Sequence, residues 1–393
     1  MKYITKRIKI SLLLAVSAMM ILFLSSCNKQ VEQLVSPASP VQGTTPTLAN
    51  LLDDPTYSIF KAAVVKAGLL PTLATTSLRF TMFIPNDAAM TASGLSLAVI
   101  NALPATSVTA IVSYHILPQV ISSTSIPTFF PNFAYPTIYN PLPPSPATAL
   151  VRLTTSPSNR NGFWLNNVPI TQLDIPAVNG VAYKIALATA PPSRYLSNRI
   201  LDPLPPTANG DPDLTIFKAA IQRADSGLAS TNTSSLTWAL SNFGPNLTVF
   251  APSNQAMKNA VAILTGGAIN NAQPDATYIS FLGGSLVTTL SVKGIVVYHI
   301  LGQGRAFLNN FPTTATAYPT LFNGAIPSHP GVTLKVTFTG PTTITSATVK
   351  GVGVANVTAS NIAINPTPDP GGTSDQHFIN GTLHKIDQVL FPQ

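Results

Sequence analysis

Apolar residues recur at helical spacing in two stretches that lie far apart along the chain. The first stripe is Ile59, Phe60, Ala63, Val64 and Ala67, and the second is Ile216, Phe217, Ala220, Ile221 and Ala224. An Asp-Pro pair precedes each stripe, which supplies an N-cap and a first-turn proline, and Gly68 follows the first stripe. The pattern predicts an amphipathic helix near the start of each stretch, with its apolar face in a core.

Short apolar runs that end in proline predict a strand after each of these helices. The runs are Phe80 to Pro85 and Leu247 to Pro252, and Asn86 and Asn254 open a second predicted helix. Pro104 and Pro274 precede further helical stretches that lead to a Tyr-His pair. The later part of each stretch is rich in Thr and Val, as in 332–337 and 345–354, which favours strands and hairpins. Helices followed by strands predict an α+β fold, in which N-terminal helices pack on a strand-rich second half.

Four sequence blocks occur twice in the same order, which indicates a tandem repeat of two long domains. The paired blocks are 54–63 with 211–220, 80–86 with 247–254, 112–117 with 296–301, and 179–185 with 380–386. The spacing between blocks is larger in the second copy, so we expect its loops to carry insertions. The predicted domains are 48–189 and 211–393, and the five prolines of 190–210 predict a stiff linker between them.

The N-terminus predicts export and a lipid anchor. Lys2, Lys6, Arg7 and Lys9 precede an apolar run that is too short to span a bilayer comfortably, so we interpret 1–26 as a cleaved signal peptide. Leu24-Ser25-Ser26-Cys27 resembles the bacterial lipobox, which makes Cys27 the expected lipidated first residue and 27–47 a tether. An uncleaved membrane anchor is the alternative. Cys27 is the only cysteine, so the remainder can form no disulfide.

The charge and composition of the chain limit the classes of partner that we expect. Charged residues make up 9% of the chain, and of the net charge of +8 four positive charges lie in the leader, which leaves +4. The rest of the chain carries no Lys/Arg cluster, so we expect no nucleic-acid partner. A weakly charged surface rich in hydroxyls and amides suits a neutral polymer, and equally a surface protein packed in a matrix.

The ordered blocks resemble the fasciclin-like domain family. The segment 248–254 is similar to the family's first signature, and 81–86 is similar with one residue fewer. The second signature is a Tyr-His pair, here Tyr114-His115 and Tyr298-His299, and 380–390 carries the third, with Asn380, Gly381, His384 and Asp387. The resemblance implies surface-anchored modules that bind matrix proteins, other cells or polysaccharides, with no common catalytic activity. In the first copy Tyr183 and Ala186 replace the His and the Asp of the third signature, so this copy is the degenerate one and the second is favoured as the binding domain.

His115 and His299 are the first candidates for chemistry. One interpretation is a ligand contact or a pH-sensitive switch, and the alternative is a buried histidine that fixes a loop through its backbone bonds. A metal site from Asp375, His377, His384 and Asp387 is disfavoured, because His384 and Asp387 point to opposite faces of a strand. We expect neither a metal nor a cofactor. The chain contains no recognisable hydrolase, phosphate-binding or dinucleotide motif, although a serine triad assembled from distant residues stays open.

Aromatic residues on proline-rich loops are the predicted ligand-binding residues. They follow the Tyr-His pair in each copy and comprise Phe129, Phe130, Tyr135 and Tyr139 in the first copy and Phe307, Phe311, Tyr318 and Phe322 in the second. Rings on stiff loops can stack on sugars or anchor a partner protein. The alternative is that they cover the core beneath a long loop.

Together these observations predict a non-enzymatic binding lipoprotein of the bacterial cell envelope. We expect it to be exported, lipid-anchored in the outer membrane, and facing the periplasm or the medium. Its expected partner is an extracellular polysaccharide or a matrix or surface protein. The alternative functions are a structural or accessory subunit of an envelope complex, and a hydrolase.

Overall fold

A computed structural model describes residues 45–130, 132–141, 152–205, 209–302 and 304–393. The predicted signal peptide, Cys27 and all but the last residues of the tether lie outside these ranges. Within them, no helix is long and apolar enough to cross a membrane.

Each domain begins with helices, as the apolar stripes predict. The α-helices of domain 1 are α1 (Leu48–Leu51), α2 (Ser58–Lys66), α3 (Leu70–Ala74), α4 (Asp87–Ala92), α5 (Leu97–Ala102) and α6 (Ala105–Tyr114). Those of domain 2 are α7 (Leu196–Ile200), α8 (Thr215–Ala224), α9 (Leu236–Ser241), α10 (Asn254–Leu264), α11 (Asp275–Gly283) and α12 (Thr289–Tyr298). Short 3-10 helices cover Pro55–Tyr57, Ser123–Ser125, Pro212–Leu214, Leu308–Asn310 and Leu321–Gly324.

The strands follow, and most belong to the second half of each domain. In domain 1 they are β1 (Phe80–Pro85), β2 (Ile116–Leu117), β3 (Tyr135–Pro136), β4 (Thr154–Thr155), β5 (Pro157–Ser158), β6 (Trp164–Leu165), β7 (Val168–Ala177) and β8 (Gly180–Ile185). In domain 2 they are β9 (Leu247–Pro252), β10 (Ile300–Leu301), β11 (Thr316–Tyr318), β12 (Val332–Thr339), β13 (Thr343–Lys350), β14 (Ser360–Asn361), β15 (Gln376–Phe378) and β16 (Gly381–Ile386). The α+β prediction is confirmed.

A pair of parallel strands forms the centre of each domain. In domain 1, β1 pairs with β8 inside a sheet of order β2-β1-β8-β7-β6-β5. In domain 2, β9 pairs with β16 inside a sheet of order β10-β9-β16-β15, and β11 to β14 form a second sheet. Side chains alternate across these central strands. Leu247 and Val249 of β9 pack against the helices, while Phe250 packs in the cluster on the other face.

The prediction that 190–210 is a linker is wrong for the middle of this segment. Residues Leu196–Ile200 form α7, and Leu196, Arg199 and Ile200 are buried. Leu196 and Ile200 belong to the helical core of domain 2, so this segment is the first helix of that domain. The prolines on both sides of α7 made the segment resemble a linker.

The stretch between Pro274 and Tyr298 forms two helices, where the sequence predicts a single one. The helix that follows Pro274 ends at Gly283, and the separate helix α12 leads to Tyr298. Two glycines, Gly283 and Gly284, lie at this break. Glycine has a low helix propensity, which explains the interruption.

Candidate functional site

The aromatic loops of the two domains meet each other instead of facing solvent together. The ring of Phe130 in domain 1 lies 4.5 Å from the ring of Tyr318 and 6.0 Å from the ring of Phe311, centroid to centroid. The Arg160 guanidinium lies over the same Phe130 ring at 5.8 Å. The loops that were expected to bind a ligand therefore contribute to a contact between the domains.

Three of the predicted ligand-binding aromatics are core residues, which corrects the sequence interpretation for them. Phe307 and Phe311 are fully buried, and Phe322 is 9% exposed. Phe311 packs against Phe250 of the central sheet, and Phe322 packs against Tyr298. Their apolar area is more stable inside the domain than in water, so they cover the core as the alternative interpretation proposed.

The remaining predicted aromatics differ in their exposure. Tyr135, Tyr139 and Tyr318 are half-buried. Phe129 is 48% exposed and packs edge to face on the equally exposed Phe133, with the ring centroids 4.7 Å apart. Among the described residues of this loop, Phe129 and Phe133 form the exposed aromatic pair.

Buried asparagines join the two domains. Asn161 Nδ2 donates to the carbonyl oxygens of Asn309 and Phe311, both at 2.9 Å. Asn309 Nδ2 donates back to the carbonyl of Asn166 at 3.1 Å. Asn310, which is fully buried, donates to the Ser158 hydroxyl at 2.6 Å. A buried amide without partners is costly, so these bonds fix how the domains meet.

Arg305 is a buried charged group at this contact. Its side chain is 3% exposed and donates to the Thr154 carbonyl of domain 1 at 3.2 Å and to Asn246 Oδ1 at 2.9 Å. It also donates to His377 Nε2 at 2.9 Å. Burial and the Arg305 cation hold the pKa of His377 well below its ordinary value, so His377 is a neutral acceptor.

The Tyr-His pairs are structural in both copies. His115 and His299 are fully buried, and each donates through Nδ1 to a carbonyl of the preceding helix turn, Ile111 or Ile295, at 2.8 Å. Each accepts through Nε2 an amide hydrogen from the end of its own domain. Burial lowers the pKa of both histidines to about 4. The interpretation of a histidine that fixes a loop is confirmed.

The Asn-Gly pair of the third signature ties the first helix of each domain to the central sheet. Asn380 Oδ1 accepts the Leu196 amide at 3.0 Å, and Asn179 Oδ1 accepts the Leu48 amide at 2.9 Å. The glycine that follows allows close approach, because a Cβ on Gly381 would lie 2.2 Å from the Leu247 carbonyl oxygen. These residues position the fold and contact no open site.

Of the polar residues near the third signature, His384 accepts the Asp375 amide through Nδ1 at 3.2 Å, but His384 and Asp387 have separate partners. His384 is buried and donates through Nε2 to the Ala306 carbonyl at 2.8 Å, while Asp387 accepts from Ser360 at 2.9 Å. Burial lowers the pKa of His384 to about 4 and raises that of Asp375 to about 7. Among the described residues, no group of three acidic, histidine or cysteine side chains could hold a metal.

A polar cleft of about 320 Å³ opens on the surface of domain 1. Its wall carries the polar side chains of Asn50, Asp54, Gln172 and Lys184, and Tyr57 lies beside them. The Lys184 ammonium lies 5.5 Å from the centre of the Tyr57 ring. Sequence reasoning missed this cleft, because its residues come from α1, the following turn, β7 and β8.

An apolar cavity of about 50 Å³ lies between the helices of domain 2 and is lined among others by Phe217, Ala260 and Val292. It belongs to the helical core described above. The groups whose strongly shifted pKa values are described above lie in the cores and at the domain contact.

Comparison with known proteins identifies both repeats. The Fasciclin domain family matches residues 55–188 and 212–392. The solved structure of a FAS1 domain pair from the insect cell adhesion molecule Fasciclin I matches with 13% sequence identity and a TM-score of 0.34. That match covers 86% of this chain and 98% of the insect chain. A comparison with curated proteins found no match.

Proposed function

Because this chain belongs to the fasciclin domain family, an adhesion-related and non-enzymatic family, and carries two copies of its domain, we propose that it is itself a binding protein without catalytic activity. Its proposed partner is an extracellular polysaccharide or a protein of a matrix or cell surface. The observation that carries this proposal is the buried contact between the copies. Asn161 and Arg305 join the two domains, so a partner would meet both of them as one unit.

We also propose that Cys27 is lipidated and holds this unit at the outer membrane of a bacterial cell. The support is the sequence alone, namely the basic and apolar leader and the residues Leu24-Ser25-Ser26-Cys27. A lipid anchor would place many copies on one surface, and many weak contacts then add up to firm attachment. Replacement of Cys27 by Ser should move the protein from the membrane fraction to the soluble fraction.

Adhesion is tested with cells that express the full-length protein. They should attach to wells coated with one class of polysaccharide or surface protein, and cells that express the Cys27→Ser variant should not attach. Attachment to no coating in a broad panel would contradict the proposal, provided that surface labelling shows the protein in place.

A second candidate is a structural or accessory subunit of an envelope complex. The observation that favours it is a set of exposed leucines in domain 2, with Leu286 86% exposed and Leu290 80% exposed. The exposed Leu264 lines the same cavity as Val287, the chain neighbour of Leu286. Exposed apolar side chains that lie together often mark a protein contact. A photocrosslinking residue at position 290 in native membranes would capture a defined neighbour if this candidate holds.

A further inference from the structure

The two copies place equivalent residues around the same position of the fold, and this allows a direct comparison. The amides of Leu48 and Leu196 bind the equivalent asparagines Asn179 and Asn380, so α1 corresponds to α7. Counting from these anchors, Leu51 of domain 1 corresponds to Arg199 of domain 2. The repeated blocks pair Asp54 with Asp211 and Lys184 with Lys385 in the same way.

In domain 2 this position is filled by a buried ion cluster. Arg199 lies 2.6 Å from Asp211 and 2.9 Å from Asp369, measured between nitrogen and oxygen. It also donates to the Gly372 carbonyl at 3.2 Å, so the loop 365–373 is held over it. Lys385 completes the cluster at 2.7 Å from Asp213.

In domain 1 the same position is the open cleft. The arginine is replaced by Leu51, which lines the cleft floor with Ile84 and Ile175. In place of the loop 365–373, the strand β7 runs from Val168 to Ala177 beside β8. Among the described residues, Lys184 makes no ion pair, and the Gln172 side chain has no hydrogen-bond partner. Within the described ranges, the Asp54 carboxylate accepts hydrogen bonds from Thr56 alone.

The charges of the cleft favour a ligand without net charge. An anion would be attracted by Lys184 but repelled by the exposed carboxylate of Asp54. A cation would be attracted by Asp54 but repelled by Lys184. A ligand with many hydroxyl groups can donate to Asp54 and can accept from Lys184, while Asn50 and Gln172 can do both. The apolar floor suits the C–H face of a sugar ring, and a volume near 320 Å³ lies at the lower end of ligand sites, about 300–1,000 Å³.

We propose that the domain 1 cleft binds a sugar residue of a neutral polysaccharide. The proposal rests on the binding function proposed above and gives it a site and a ligand class. It also assigns the binding role to the first copy, although the signature residues of the second copy are the more complete. The second copy keeps the equivalent position closed with its own arginine.

The test uses purified full-length protein and calorimetric titration with neutral oligosaccharides, namely cellohexaose, mannohexaose and xylohexaose, with hexagalacturonate as the charged comparison. One neutral oligosaccharide should bind, and hexagalacturonate should bind at least tenfold more weakly. Gln172→Ala should weaken binding about tenfold. Leu51→Arg should abolish binding, because it reproduces the arginine that fills the cleft in domain 2.

The matched control is Leu97→Arg, the same chemical change at a 45% exposed position of α5 in the same domain. It should leave binding unchanged. Thermal unfolding of Leu51→Arg should show a midpoint at or above that of the unmodified protein, which separates a filled cleft from a misfolded domain.

The outcomes separate this site from the general function. Binding that survives in both Leu51→Arg and Gln172→Ala overturns the site and leaves the binding function standing. Preferential binding of hexagalacturonate overturns the neutral ligand class. If no oligosaccharide binds while cells still attach to protein-coated wells, the sugar proposal is wrong and the adhesion proposal holds. If neither binding nor attachment occurs, both proposals fail.

Discussion

His299 accepts the amide hydrogen of Leu390 through Nε2 at 2.9 Å, which ties the end of the last helix of domain 2 to the final residues of the chain. His115 makes the same contact with the Thr189 amide in domain 1, at 3.1 Å. Both bonds require a neutral imidazole, because protonation of Nε2 would replace the acceptor with a donor. The consequence is a dependence of stability on pH.

We predict that the free energy of unfolding falls as the pH drops from about 6.5 to about 4. Burial lowers the pKa of His299 to about 4 in the folded chain, against 6.5 for an ordinary histidine, so in this window the unfolded chain binds the proton more readily. Each such histidine contributes up to about 3 kcal/mol above this window, at roughly 1.4 kcal/mol per pKa unit. Urea unfolding between pH 4 and pH 8 measures this dependence of the unfolding free energy on pH.

The variant His299→Gln isolates this effect. It should be less stable than the unmodified protein at pH 8, because the buried bonds are disturbed, and its stability should change less between pH 8 and pH 4. An unchanged pH dependence in this variant would show that His299 is not the group that titrates.

We predict that Asp375→Asn stabilises domain 2 at high pH. Burial raises the pKa of Asp375 to about 7 from 3.8, so its stabilising effect is complete below about pH 3.8 and is lost as the pH rises through 7. Asparagine stays neutral, can still accept the Leu308 amide, and tolerates the positive φ of 52°. The gain in unfolding free energy should be about 1–3 kcal/mol at pH 8.

The comparison at pH 4 is the control for this prediction. There both side chains are neutral in the folded chain, and the difference between the variant and the unmodified protein should nearly vanish. A variant that is less stable at pH 8 would instead indicate that the ionised carboxylate is held by favourable contacts.

We predict that Asn380→Ala destabilises domain 2 by about 3 kcal/mol, since it leaves several buried backbone groups unpaired. The side chain accepts from the Leu196 amide and donates to the carbonyls of Ala239 and Leu240 at 3.1 and 2.9 Å. Urea unfolding measures the loss. Asn179→Ala should have a similar effect on domain 1, and Asn101→Ala, at an exposed position of α5, should have little effect.

We predict that Asn161→Gly loosens the contact between the domains without unfolding either. The change removes two hydrogen bonds to domain 2, and glycine adopts the φ of 55° found at this position. Small-angle scattering should show a larger radius of gyration, and circular dichroism should be unchanged. Equal scattering curves for the variant and the unmodified protein would mean that the other contacts suffice to hold the two domains together.

The sequence predicts the local elements well where one periodicity dominates. The strand bounds 80–85 and 247–252 agree with the structure, because a short apolar run with a terminal proline leaves few alternatives. The helices that carry the two apolar stripes are predicted equally well. The Asn-Gly and Tyr-His pairs identify the family, and their roles as anchors follow from the burial of His115, His299, Asn179 and Asn380.

What the sequence does not reveal depends on contacts between distant residues. Phe307 and Phe311 have the same loop context as the exposed Phe129, and only the three-dimensional packing separates buried rings from exposed ones. The correspondence between Leu51 and Arg199 is equally hidden, because it lies before the first repeated block. The asparagines at 309 and 310 were a sequence signal for a polar contact, but their partners lie about 150 residues earlier.

The short connection between the domains has a mechanical consequence. Thr189 is held by His115 in domain 1 and Leu196 by Asn380 in domain 2, and only six residues separate them. Fully extended, such a segment spans roughly 20 Å, so it offers little slack. A pull applied to the two domains in opposite directions would load the buried asparagine contact almost at once, and the pair would lengthen only after that contact breaks.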